Sequence, residues 1–306
     1  MATFLSALPG AVAQGLIWGL MAIGVYITFK VLDLADLTVD GSLATGGAVF
    51  VMMATGNQNL YFSLFVAFLA GCFAGFITGI FHTSFGIPAI LAGILTQFSL
   101  YSINLRIMGG NANVAINFRK YNLIITSSNI NKSMIAGAIF VVLVVIILYW
   151  FFGTQLGSAI RATGCNEAMA RANGINTNRN KVFGLVLSNG IVALAGALEA
   201  QYSGNADIGK GKGAIVIGLA AVIIGEVIFG KIFKNFALRL VGVALGGVIY
   251  YIVQTVVIQL GLDPNDLKLF TALFVAVFLG LPYWKSKMKP SVKKQAKKNG
   301  EVGANA

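Results

Sequence analysis

The sequence predicts an all-α, polytopic bundle of about nine membrane-spanning helices, with a broken second helix and an inverted internal repeat. Three observations carry this expectation. First, of 306 residues 57% are hydrophobic and 10% charged, with mean hydropathy +0.83, whereas a soluble domain averages roughly 25% charged residues. Second, apolar runs approaching the roughly 20 residues that cross a bilayer recur along the chain. Third, the net charge of +12 gathers in a few loops and in the tail 285–306, as the positive-inside rule describes, which argues against a nucleic-acid-binding face.

The elements follow in order. Leu8–Phe29 is the first span; the N-terminal MATFLSALPG lacks a basic region, so this run reads as a retained helix and not a signal peptide. Ser42–Thr55 is too short to span unless it is entered from a broken segment. Leu60–Phe81 and Ile87–Leu105 flank a short hairpin, with the sole histidine, His82, placed as an interfacial anchor. A polar interval, Met108–Ser133, precedes the apolar Met134–Phe152. A second, Gly153–Lys181, precedes Val182–Gln201, Ala214–Phe229, Phe236–Leu260 and Leu269–Trp284. Residues 1–284 thus form the membrane domain, and 285–306 a basic tail that suits an anionic lipid surface. Placing the tail in the cytoplasm puts roughly 15 of the 22 lysines and arginines there, and the mirror topology loses on the same count.

The stretch SGNADIGKGKG, Ser203–Gly213, holds a G-x-x-x-x-G-K string, but Gly211 stands where a P-loop needs the Ser or Thr that binds magnesium. An apolar helix precedes it in place of a strand, and the topology turns it outward. Its glycines are expected to steer the backbone into the next helix. Cys72 and Cys165 are far apart and no Cys/His cluster exists, so neither a disulfide framework nor a metal site is expected. Gly15/Gly19, Gly71/Gly75/Gly79 and Gly242/Gly246 form small-residue ridges of the kind that let helices approach in lipid. Glu199 and Glu226 fall near helix ends and read as interfacial anchors.

Two segments concentrate polar chemistry. In Lys30–Val49, Asp33, Asp36, Asp40 and Ser42 lie between apolar runs. Carboxylates at membrane depth normally line a wet pathway, whereas Thr38, Asp40 and Ser42 are also good N-caps for the helix beginning there; both readings stand at this point. A Gly-rich start recurs at Gly209–Gly213. The topology puts the two starts on opposite faces, the basis of the expected inverted repeat. In Gly153–Lys181, Ile160, Ala168–Ala170 and Ile175 are expected to form an apolar stripe flanked by Arg161 and Arg171, with Gly164 and Gly174 breaking it into short helices suited to a partner's groove.

This second segment resembles the cytoplasmic coupling region of binding-protein-dependent ABC importer permeases, the class that includes branched-chain amino acid and ribose permeases. The pattern Gly-x-x-x-Arg-Ala-x-Gly-x-Asn-x-x-x-Ala-x-x-x-Gly-Ile is met by Gly157, Arg161, Ala162, Gly164, Asn166, Ala170, Gly174 and Ile175. The following VLSNGIVALAGAL and the broken start near Asp40 are similar to the family's neighbouring helices. IPAILAGILTQFSLYSINLRIMGG and AQYSGNADIGKGKGAIVIGLAAVIIGE resemble the tryptophan and tyrosine uptake subgroup, although Lys210 and Lys212 stand where neutral residues are expected, a change that could alter which binding protein docks.

The resemblance implies a multi-pass permease of the bacterial cell membrane with a cytoplasmic C-terminus, not itself an enzyme and binding no cofactor directly. It implies a second permease copy, cytosolic ATPase subunits that hold ATP and magnesium, and an extracytoplasmic binding protein. The coupling set it implies is Arg161, Ala162, Gly164, Asn166, Glu167, Met169, Ala170, Arg171, Gly174 and Ile175. Asp33, Asp36, Asp40 and Ser42 are the pathway candidates. Arg119, Lys120 and Lys132, in the external segment, are candidates for docking the binding protein, with a merely solvated loop the plainer reading. The same class of permease for a sugar, nucleoside or vitamin is the alternative, with an ion-coupled secondary transporter behind it. An intramembrane enzyme lacks a polar cluster to support it, and nothing resembles a channel filter.

Overall fold

The computed structural model describes residues 2–117, 121 and 123–259, together with 269, 272–273, 276–277 and 280. Long helices dominate: α1 Ala2–Tyr26, α2 Thr38–Thr55, α3 Leu60–Thr83, α4 Ala89–Ile107, α5 Ile130–Gly153, the short α6 Gln155–Cys165 and α7 Glu167–Ala172, then α8 Thr177–Ser203, α9 Ala214–Phe229 and α10 Phe236–Gln259. Among the described residues seven helices are long and apolar enough to cross a membrane, and α2 adds a shorter, almost wholly buried element. Of the expected Leu269–Trp284 span, the few described positions are helical; the basic tail 285–306, Arg119 and Lys120 lie outside the described residues.

Helices α1 and α8 form the buried centre, while α3, α4 and α5 turn much of their surface outward. That outer surface carries Phe73, Ile90, Ile146 and Trp150, each more than half exposed, as lipid-facing side chains are. The glycine ridges pack as expected. Gly71, Gly75 and Gly79 face the α8 backbone, Gly15 and Gly19 face Val248 and Ala244 of α10, and Gly246 faces Ala221 of α9. Gly46 and Gly196 interlock α2 with α8: a β-carbon on either would overlap a carbonyl of the other helix. Close backbone approach of this kind supplies much of the packing energy where lipid removes the hydrophobic drive between helices.

Periodicity did not reveal two short strands. Asn113–Ala115 (β1) pairs antiparallel with Asn205–Asp207 (β2), tying the polar interval after α4 to the loop before α9. A 3-10 turn, Ile208–Gly211, follows β2. Here the P-loop string proves to be strand and turn, with Lys210 Nζ bonded to Ser203 Oγ and to Asn205.

Candidate functional site

The break in the second helix begins inside α1. Its last turn widens to a π turn, Ile27–Val31, and the chain then reverses at Asp33, whose φ is +54°, a left-handed conformation that Asp tolerates better than most residues. Asp33 itself is exposed. Asp36 is not: it is 3% exposed, and its carboxylate accepts from Thr38 N at 2.9 Å and Asn189 Nδ2 at 2.7 Å. Asn189 Oδ1 in turn accepts from Ser42 Oγ at 2.6 Å. Alongside, Thr38, Thr78 and Thr96 link α2, α3 and α4 through their hydroxyls. Asn189 sits near the middle of α8, so this cluster lies deep in the bundle and not at its rim.

The capping expectation is right in kind but corrected in place. Leu37, with no side-chain cap, precedes α2, and Asp36 supplies the acceptor for its first turn. Asp40 caps a different helix: its two carboxylate oxygens accept from Gly213 N and Ile215 N, each at 2.9 Å, at the start of α9. A carboxylate at a helix N-terminus meets both unpaired N–H groups and the favourable end of the dipole. The starts of α2 and α9 therefore touch, contrary to the expectation that they lie on opposite faces. It is their far ends that diverge. Glu226, near the end of α9, pairs with Lys30 at 3.3 Å, while Thr55, at the end of α2, accepts from Tyr121 of the polar interval after α4. Both connecting stretches fold back into the bundle, which loop composition does not disclose.

Glu199 is also corrected. It is 6% exposed, roofed by the strand and turn that carry Asn205–Asp207 and Lys210, and is no interfacial anchor. His82 bridges its hairpin by a bond between Nδ1 and Ile87 O.

The segment after α5 is a compact module of two helices. Thr154 caps α6 by accepting from Gly157 N, and Asn166 caps α7 by accepting from Met169 N. Gly174, at φ +77°, closes α7 as Ile175 N reaches Ala170 O, the glycine-terminated helix end expected from chain geometry. Gly164 does not break a helix as anticipated; the break falls at Asn166. Gly164 is needed for contact instead, because a β-carbon there would overlap the carbonyl oxygen of Val31 in the π turn.

The expected apolar stripe is split between two faces. Ile160 and Ala170 are buried at 1% and 3%, while Met169 points outward at 65%. Arg161 braces the module from within, donating to Phe152 O at 2.7 Å and lying 5.7 Å over the Phe236 ring; Ala162 is half-buried beside it. Asn180 of α8 donates to Thr163 at 3.0 Å. Glu167 receives Arg171 at 2.5 Å, Lys181 at 2.8 Å and Thr177 at 3.2 Å, so one carboxylate ties α7 to α8. Lys181 foremost, with Thr177 and Arg171, holds the Glu167 carboxyl below its ordinary value of 4.5 against a weaker pull from desolvation. Lys132 is exposed in the first turn of α5.

The architecture is that of a polytopic membrane bundle, with a helix break between α1 and α2 at its centre and a small two-helix module seated on that break. Comparison with known proteins makes the class specific. Residues 8–281 match the family described as branched-chain amino acid transport system / permease component, and the chain belongs to that family of ABC importer permeases. It is 38% identical over 90% of its length, and 91% of the other's, to the tyrosine transport system permease protein of Clostridioides difficile (strain R20291). It is 34% identical to the uncharacterized protein RP368 of Rickettsia prowazekii (strain Madrid E), over 89% of this chain and 95% of that one. It is 25% identical to the ribose import permease protein RbsC of Escherichia coli (strain K12), over 75% of this chain and 71% of that one. A solved structure, PsaBC from Streptococcus pneumoniae in complex with Fab, aligns over 82% of this chain and 94% of that one at 16% identity and a TM-score of 0.41.

Proposed function

We propose that this ABC importer permease carries amino acids of the aromatic type. In this reading it works as one of two permease copies in the bacterial cell membrane, its C-terminus in the cytoplasm. Separate ATPase subunits hold ATP and magnesium, the chain has no nucleotide site of its own, and an extracytoplasmic binding protein delivers the substrate. The amino-acid assignment is supported by the likeness to a tyrosine transport permease over nearly the whole chain.

The contact of Gly164 with Val31 O carries the mechanism. Met169 and its exposed neighbours offer the face for the ATPase groove. Arg161, Thr163 and Glu167 lock α6 and α7 to α5, α8 and α10, so the module moves as a unit. A push on it bears directly on the π turn, and through Leu32–Leu37 on Asp36 and the start of α2. Rigid-body tilting of packed helices about such a joint is an established form of switching. Asp36, Ser42 and Asn189 are the joint's polar lock. The antiparallel departure of α2 and α9 from a shared centre is read as an inverted repeat, whose half-helix ends gate alternately.

Reconstitution tests this. The permease with its cognate ATPase and binding protein should import L-tyrosine in liposomes only with ATP inside the cytoplasmic compartment. Import of ribose or a nucleoside in its place would move the chain to the sugar branch of the class, and import by the purified chain with no other polypeptide would refute the coupled scheme. Charge reversal at Arg119, Lys120 and Lys132 should lower ATPase stimulation by the binding protein, more so at low salt; equal stimulation would remove them from the docking surface.

A further inference from the structure

A cavity of about 340 Å³ opens between the first turn of α2, the middle of α4 and the turn before α9, within the roughly 300–1,000 Å³ that small-molecule sites occupy. It is lined by Asp40, Gln97, Phe98, Tyr101, Asn104 and Lys212, with Ile208 and Ala44 completing the wall. Three features set it apart from a packing defect. Asn104 is 1% exposed, yet both its amide oxygen and its amide nitrogen lack a hydrogen-bond partner, and leaving such a group buried and unmade is costly. Lys212, exposed at the mouth, holds its ammonium 5.7 Å over the Tyr101 ring. Asp40 adds a carboxylate to the lining beside the start of α9, although its oxygens already receive two backbone N–H groups. Opposite charges, a buried amide with donor and acceptor both unpaired, and two aromatic rings thus border one space at the joint where α2 and α9 meet.

We propose that this cavity is a transit subsite for a zwitterionic aromatic amino acid. The α-carboxylate is held by Lys212, the ammonium by Asp40 and the amide oxygen of Asn104, and the ring rests against Phe98 and Tyr101. The proposal rests on the aromatic amino-acid reading above and adds to it a place where the permease itself recognises the substrate. The two lysines of the Gly-rich turn thereby part company: Lys210 is tied down by Ser203 and Asn205, while Lys212 faces the cavity instead of acting as a docking charge.

The test uses the permease–ATPase complex in nanodiscs without binding protein, probed with radiolabelled L-tyrosine. Displacement is expected with L-tyrosine but not with tyramine, which lacks the carboxylate, nor with 3-(4-hydroxyphenyl)propionate, which lacks the ammonium. Asn104→Leu and Lys212→Gln should each weaken binding about tenfold or more. Asn104→Leu should melt at or above the wild-type temperature, because it removes an unpaired buried amide; loss of binding then cannot be laid to misfolding. Unchanged binding in both variants, or no binding by the wild-type complex while the complete system imports tyrosine, would overturn the subsite and leave the functional reading intact. Failure of the complete system to import any amino acid would overturn that reading, and the ligand class with it.

Discussion

Asn189 donates its amide to Asp36 at 2.7 Å and accepts the Ser42 hydroxyl at 2.6 Å. One side chain of the central helix thereby closes the loop between the end of α1 and the start of α2. Asn189→Leu strips a buried carboxylate of one of its partners, a loss of about 1.5–3 kcal/mol for a hydrogen bond to a charged group. The expected outcome is a lower melting temperature of the purified complex and reduced uptake. An unchanged melting temperature would show that the bond contributes nothing.

Gly164→Val drives a side chain into the Val31 carbonyl. Overpacking of this sort costs about 1–3 kcal/mol, and here it separates the module from the π turn. Membrane levels and co-purification of the ATPase should hold, uptake should fall by about tenfold, and ATP hydrolysis should lose its dependence on the binding protein. Coupled uptake at the wild-type rate would exclude the Gly164–Val31 contact as the transmission point.

Met169 and Ala170 are neighbours with opposite surroundings, at 65% and 3% exposure. Met169→Glu should abolish ATPase co-purification without affecting folding. Ala170→Glu should disrupt the module itself, by burying a charge without a partner. The pair is read by pull-down and by thermal melting. Equal effects of the two substitutions on both assays would contradict the assigned faces.

Glu167 sets an acid limit on the module. Its carboxyl titrates below 4.5 in the folded protein, chiefly because Lys181 bonds to it. Its stabilising contribution is therefore fully present above the unfolded value and is lost as pH falls through the lower folded value. The side chain is about a third exposed, so screening keeps the effect modest. Protection factors across 166–176, taken relative to the intrinsic exchange rate at each pH, should fall as pH drops below about 4.5, and Glu167→Gln should show that lower protection already at neutral pH. Wild-type protection persisting to pH 2 would contradict the linkage.

Long apolar runs were legible because a span must satisfy its own backbone in lipid, which leaves hydropathy and length as sufficient signals; α3, α5, α8 and α9 lie within a few residues of their expected bounds. The short helices after α5 were legible by pattern, and their caps at Thr154 and Asn166 are local chemistry. The strands Asn113–Ala115 and Asn205–Asp207 were not, since three-residue strands carry no period and exist only because distant segments meet.

Composition and order of residues were enough to define a membrane bundle, its broken second helix and a polar interruption of short helices after the fifth span, since these depend on the solvent each stretch can tolerate. Which helix Asp40 caps, which way Met169 and Ala170 face, how deep Asp36 lies and that Asn104 is left unpaired beside a cavity were decided by the tertiary fold. Those facts depend on distances between residues remote in the chain, and a hydrogen bond or a buried amide is a property of the neighbours that packing brings, not of the residue alone.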